Sequence, residues 1–431
     1  MTTLLSFDQA PPLAAPLRFF LTAPLFAAAA GLLLFLAGPE LLASRWTPES
    51  LAFTHLITAG FMLQAMIGAL LQILPVATGA GVDRPLWVAR MVHLLFLAGG
   101  ILLVAGFLSF GSDAYFRGAL ALVGAGLLVF VLAVGQALGQ IPNNSPIQLA
   151  VKLAVAGLVV TLVLGLALLA SLIWGLPWPL LKIIDIHVVW GWVGWGLLLL
   201  AGVAYVVVPM FLLTPPFSPR FSRNFGPALF FLLLAWSAAE TWSWPGAALL
   251  AALVAGACAA FALVTLWLML RSKRARLDAT QRYWRLGLSS ALCALALWAA
   301  SQVVPALQLW SGLPLLLGGL VLVGGFMSVI TGMLYKIVPF LVWLHLQNAG
   351  KGQVMAPNMK KVLSDKAAAR QMVSHVLALA LLIAAVFLPS WFARPAGAAL
   401  FVSSLWLGAN LLSALGVYRR HLTVLRSQMV A

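Results

Sequence analysis

His55 and His187 each stand near the start of an apolar stretch, twenty and twenty-two residues ahead of a proline, Pro75 and Pro209. A neutral imidazole in such a place is a common ligand for haem iron and for copper. Ionisable groups inside apolar helices are costly, and their default reading is functional. The competing reading of a lone histidine is a hydrogen-bonded packing residue. His93, His345 and His375 also fall in or beside apolar stretches, whereas His421 lies in a basic carboxy-terminal tail. Two carboxylates join the candidates. Glu240, in SAAETWSW, could hydrogen-bond a ligating imidazole, ligate metal or carry protons. Its structural alternative is a polar residue beside an aromatic belt of Trp236, Trp242 and Trp244. Asp185, two residues before His187, faces another side of the helix. Tyr205 and Tyr335 stand four residues before Pro209 and Pro339, and Lys336 reads as an anchor snorkelling to the interface. No CxxCH motif is present, so any haem would be held non-covalently, as b-type.

The elements that carry these residues repeat. Pro75, Pro209 and Pro339 are each preceded seven residues earlier by a glycine (Gly68, Gly202, Gly332) and fifteen residues earlier by another (Gly60, Gly194, Gly324). The spacings are 134 and 130 residues. The chain therefore reads as three related units of four helices, near 17–138, 148–270 and 286–417, forming one membrane domain over 1–431. Glycines eight residues apart share nearly one helical face. They would admit either a neighbouring helix or a flat cofactor.

Composition sets the solvent. The chain is 63% hydrophobic and 8% charged, outside the range of water-soluble domains. Twelve spans of about twenty apolar residues are expected, near 17–38, 51–76, 86–108, 115–138, 148–174, 183–211, 226–245, 247–270, 286–307, 314–338, 371–391 and 396–417. The net charge of +16 collects in alternate loops, notably Arg271, Lys273, Arg274, Arg276, Arg282 and Arg285, then Lys360, Lys361, Lys366 and Arg370. That asymmetry marks membrane orientation, with both termini cytoplasmic, rather than nucleic-acid binding. Cys258 and Cys293 fall within spans and suggest neither a disulfide nor a thiolate cluster. The first stretch lacks a basic leader and reads as a retained helix, which in a prokaryote implies the inner membrane. With this orientation His55 and His187 lie at similar depth near the outer surface, and His93, His345 and His375 near the inner one.

Twelve spans, a threefold repeat and outer-end histidines on spans two and six resemble the catalytic subunit of the haem-copper oxidases. The phrasing is closest to the NnrS-type haem-copper membrane proteins. PLRFFLTAPLFAAAAGLLL is similar to that group's proline-arginine-phenylalanine start of helix one. THLITAGFMLQAMIGALLQILPVATG is similar to its histidine-led second helix. The likeness covers the whole chain as architecture but only about sixty residues as motif.

The resemblance implies a pseudo-threefold bundle, haem b, copper as a further possible metal, and an oxidoreductase-like role in nitric oxide or oxygen chemistry with an unspecified electron donor. His55 matches its haem-ligand position, and His187 roughly its copper-ligand position. The chain departs from the oxidases in having Glu240 rather than paired histidines on span seven, and no histidine in the outer half of span ten. Two rival readings follow from the residues: a proton-coupled transporter, and an assembly subunit without its own chemistry. Outside the protein itself, the expected partners are the lipid bilayer and a diatomic gas.

Overall fold

The computed structural model describes residues 7–109, 111–140, 145–274, 276–350 and 356–430. No strand occurs among the described residues. The long helices are α1 Ala14–Ala37, α2 Pro48–Thr78, α3 Pro85–Leu108, α4 Asp113–Gly139, α5 Pro146–Trp174 and α6 Leu180–Leu212. They continue with α7 Pro219–Thr241, α8 Ala247–Leu270, α9 Ala279–Ser301, α10 Leu313–Ala349, α11 Asp365–Phe387 and α12 Pro389–Val430. Among the described residues, ten of these are long and apolar enough to cross a membrane, α7 and α9 being the two that are not. The chain is an all-α, multi-pass membrane protein.

Helices α7 and α9 lie on two of the expected spans but are displaced toward the amino terminus. Ser218 accepts from the Phe221 N–H at 3.3 Å and Pro219 takes the first helical position, so α7 starts early and includes Arg220 and Arg223. It stops at Thr241, because Ser243 adopts a left-handed backbone (φ 53°) and Pro245 follows. α9 likewise takes in Arg282 and Arg285. A hydroxyl residue followed by proline also opens α2 (Thr47, Pro48) and α5 (Ser145, Pro146).

The chain divides into two compact units. The first comprises 69–274 with 291–303 and the amino-terminal residues; the second comprises 13–68, 275–290 and 304–431. Both main boundaries fall inside helices, α2 and α9. In the first unit α3 packs on α4, α5 on α6, and α7 on α5 and α8. In the second, α12 packs along α1, α10 and α11. There Gly31 and Gly397 bring α1 and α12 into backbone contact: a Cβ at Gly397 would sit 2.3 Å from the Phe35 nitrogen.

The glycine and proline columns coincide with a shared feature of three helices. α2, α6 and α10 each contain a π-helical turn, at Leu56–Met62, Trp190–Leu197 and Leu320–Met327. Their first residues are separated by the same 134 and 130 positions as the glycines. Each of these helices runs antiparallel to the preceding helix of its repeat, and the paired glycines make the contact. A Cβ at Gly60 would lie 2.4 Å from the Phe26 ring, and one at Gly68 would lie 2.8 Å from Phe19 Cβ. Gly324 and Gly332 meet Ser290 and Tyr283 of α9 in the same way, at 2.8 and 2.6 Å. In the middle copy a Cβ at Gly157 of α5 would lie 2.0 Å from the Gly194 carbonyl oxygen, and one at Gly202 would lie 2.9 Å from Ala150 Cβ. Of the two uses open to the glycines, helix packing is the one they serve.

The three helices end differently after Pro75, Pro209 and Pro339. α2 stops at Thr78, where Gly79 turns left-handed (φ 79°), and α6 stops at Leu212 before Pro215 and Pro216. α10 was expected to end near 338 but continues through Pro339 to Ala349, because the apolar FLVWLHLQNA that follows contains no breaker before Gly350. His345 therefore sits on a helical extension rather than in a loop.

Candidate functional site

In the first unit the site is built around His187. Gly157, Thr161 and Gly165 recur every four residues on α5 and share one face. This face receives α6. The His187 Nδ1–H donates to the Thr161 carbonyl oxygen at 2.9 Å, since a carbonyl can only accept. Its ring lies directly on Gly165, where an added Cβ would sit 3.0 Å from Cε1. The tautomer is thereby fixed, with the lone pair on Nε2. One turn on, the Trp190 Nε1–H donates to Ser237 Oγ of α7 at 2.8 Å, tying the start of the π-turn to its neighbour. Asp185 is exposed, and Glu240 is half-buried in the last turn of α7 rather than deep within a longer span. Trp242 and Trp244 are exposed beside it.

His55, in the second unit, is half-buried and closes the α-helical opening of α2 immediately before the π-turn. Its Nδ1–H donates to the Leu51 carbonyl oxygen at 2.8 Å, so Nε2 again carries the lone pair. His345 has the same arrangement with Leu341 at 2.9 Å. His93 is buried on α3. The exposed His421 donates to the Val417 carbonyl at 3.0 Å. Among the described residues no three His, Cys, Asp or Glu side chains come together as a metal-ligand set.

The second unit holds a polar network that reading the histidines alone had missed. Gln371 of α11 is fully engaged. Its Oε1 accepts from the Tyr283 and Tyr335 hydroxyls, the latter at 3.2 Å, and its Nε2 donates to the carbonyl oxygen and Oγ of Ser403 at 3.0 and 3.1 Å. Asn410 of α12 donates to the Tyr335 hydroxyl at 2.8 Å. One turn along α11, His375 is completely buried 2.8 Å from Ser328 Oγ, with its ring 5.5 Å from that of Tyr283. Ser328 gives its own proton to the Val323 carbonyl, so His375 Nε2–H is the donor, and the buried Nδ1 has no hydrogen-bond partner. Nearby on α10, Lys336 pairs with the buried Asp278 at 2.8 Å. It is an ion-pair partner, not the free anchor that its position suggests.

A sequence signal for this network does exist. Gln371 and His375 are four residues apart, Ser328 and Tyr335 seven, Ser403 and Asn410 seven, so each pair lies on one face of an apolar helix. Tyr205, in the repeat position of Tyr335, behaves differently. Its buried hydroxyl has no hydrogen-bond partner, and its ring packs 5.2 Å from Phe217.

No family model matches the chain, and no curated protein matches it either. The functional reading rests on the residues themselves.

Proposed function

We propose that the chain is a b-type haem protein of the membrane, acting in nitric oxide- or oxygen-linked redox chemistry. In this reading it has twelve spans in three related four-helix units, as its resemblance to the NnrS-type proteins implies. The observation that carries the reading is the tautomer of its two leading histidines. His187 and His55 each commit Nδ1–H to a backbone carbonyl, leaving on Nε2 the lone pair an axial ligand needs. Bound haem would supply a one-electron iron centre able to take a diatomic gas. The chain's own part is to hold each imidazole in place. Gly165 makes room for the His187 ring, Thr161 fixes its proton, and a π-turn, a feature frequent at functional sites, begins at or near each histidine. The positive-inside rule applied to the basic loops favours cytoplasmic termini, which in a prokaryote means the inner membrane.

Purified from haem-replete cells in mild detergent, the protein is expected to show a Soret band and dithionite-reducible b-type peaks. His187→Ala and His55→Ala should each lower the haem-to-protein ratio, whereas the exposed His421→Ala should leave it unchanged. A colourless wild-type preparation would overturn the proposal.

The polar network favours a second reading, proton-coupled transport. Hydrogen-bonded hydroxyls and carboxamides beside a buried ion pair are the equipment of a proton relay. Proteoliposomes loaded with a pH dye should then acidify under a potassium diffusion potential, and Gln371→Leu should abolish the signal. Equal traces for wild type and variant would remove this reading.

A further inference from the structure

In the first unit an apolar groove of about 600 Å³ opens where α7 begins and α8 ends. Its walls are Pro215, Pro216 and Phe221 on one side, and Leu263, Val264 and Trp267 on the other. Trp267 and Leu263 are about half exposed, so the groove faces outward from the helix pair. One end of it is strongly cationic. The Arg271 guanidinium lies over the Trp267 ring, 3.7 Å from its centroid, and Arg220 is exposed in the first turn of α7 beside the Ser218 cap. Exposed Lys273 follows, its backbone N–H bonded at 3.0 Å to the Leu213 carbonyl, which ties the segment to the end of α6.

Acidic residues are sparse in the segment that forms the groove. Between residues 211 and 274 the only acid is Glu240, in the last turn of α7. It lies twenty residues from Arg220, about 30 Å along a helix at 1.5 Å per residue, well beyond a Debye length of about 8 Å. A ligand that suits both parts must be apolar along most of its length and anionic at one end. Arginine is the residue of choice for phosphate oxygens, and a guanidinium already oriented over an indole loses less freedom on binding.

We propose that this groove is a binding site for an anionic phospholipid. Its acyl chain lies against Phe221, Leu263 and Trp267, and its phosphate is held by Arg220, Arg271 and Lys273. The site is independent of the haem reading, because none of these residues touches a candidate ligand. It also gives the basic loop after α8 a recognition role beyond setting orientation.

The test uses the full-length protein, purified in mild detergent and offered equal amounts of phosphatidylglycerol and phosphatidylcholine, with retained lipid counted by native mass spectrometry. Phosphatidylglycerol should be retained preferentially, and Arg220→Gln with Arg271→Gln should weaken its binding about 30-fold, roughly fivefold per cation. Val264→Trp, which fills the groove and leaves the cations in place, should lose the retained lipid while keeping the wild-type elution volume. Inorganic phosphate, as the probe for a headgroup-only site, should not compete at millimolar concentration. Equal retention of the two lipids, an unchanged preference in the double variant, or full competition by phosphate would each overturn the assignment. Should the double variant fail to fold, Val264→Trp and the phosphate competition decide it alone.

Discussion

Replacing Gln371 by leucine tests the buried network most directly, because the two side chains are similar in size and the change removes only hydrogen bonding. In the wild type all four of the carboxamide's bonds are made: two accepted from Tyr283 and Tyr335, two donated to Ser403. Leucine would leave both tyrosine hydroxyls as buried donors without that acceptor. Stranding a buried donor costs about 1–3 kcal/mol in water-soluble proteins. Hydrogen bonds between membrane helices average nearer 0.6 kcal/mol, because the unfolded helices find other partners in the bilayer. Four such bonds at that lower value give about 2.4 kcal/mol, and two stranded donors at the upper value give about 6. The expected loss therefore lies between about 2 and 6 kcal/mol, read as a shift in reversible unfolding in mixed micelles. Adding Tyr283→Phe should then cost less than it does in the wild type, since its acceptor is already gone. A loss below about 0.5 kcal/mol for Gln371→Leu, with additive behaviour of the pair, would refute the network as described.

Four further outcomes follow from the packing. Lys336→Met removes the ammonium that pairs with buried Asp278 and should cost about 1–3 kcal/mol, part of it recovered when Asp278→Asn is added; denaturant midpoints of the three variants check this. Gly157→Ala and Gly397→Ala each drive a methyl into backbone atoms of a neighbouring helix, 2.0 and 2.3 Å away, and should cost at least about 1–3 kcal/mol. Gly135→Ala on α4, with nothing within 4 Å of the new methyl, should be neutral or stabilising by up to about 1 kcal/mol. Gly165→Val should displace the His187 ring and lower the haem-to-protein ratio while leaving melting of the apoprotein within about 1 kcal/mol of wild type, measured by pyridine haemochrome and thermal unfolding.

Much of the helical frame was legible in the sequence because lipid imposes a simple rule: about twenty apolar residues per crossing, punctuated by charge and proline. Thr47-Pro48 and Ser145-Pro146 mark the starts of their helices by cap chemistry. The glycine triples pointed to the right contacts, but not to the partners, since Phe26, Gly157 and Ser290 share no residue type. The displaced starts of α7 and α9 were hidden because their first turns are polar, and hydropathy counts only the apolar remainder. The π-turns left no compositional mark. The hydrogen bond from His187 to Thr161 joins residues 26 positions apart, which no local pattern encodes. The Tyr283–Gln371–Tyr335 cluster is a tertiary product of three helices, visible beforehand only as polar residues sharing a face.

The wide turns at Leu56–Met62, Trp190–Leu197 and Leu320–Met327 act as joints. Ordinary winding advances about 100° per residue. Trimming one residue from such a turn would therefore swing the leading segment, with His55 or His187 on it, through more than a quarter of a circle relative to the proline-bearing stem. Each copy thus aims its tip separately from the stem that anchors it. A helix with such a joint can keep its glycine seam fixed while the tip is re-aimed, and α10, whose tip bears no histidine, carries the same turn.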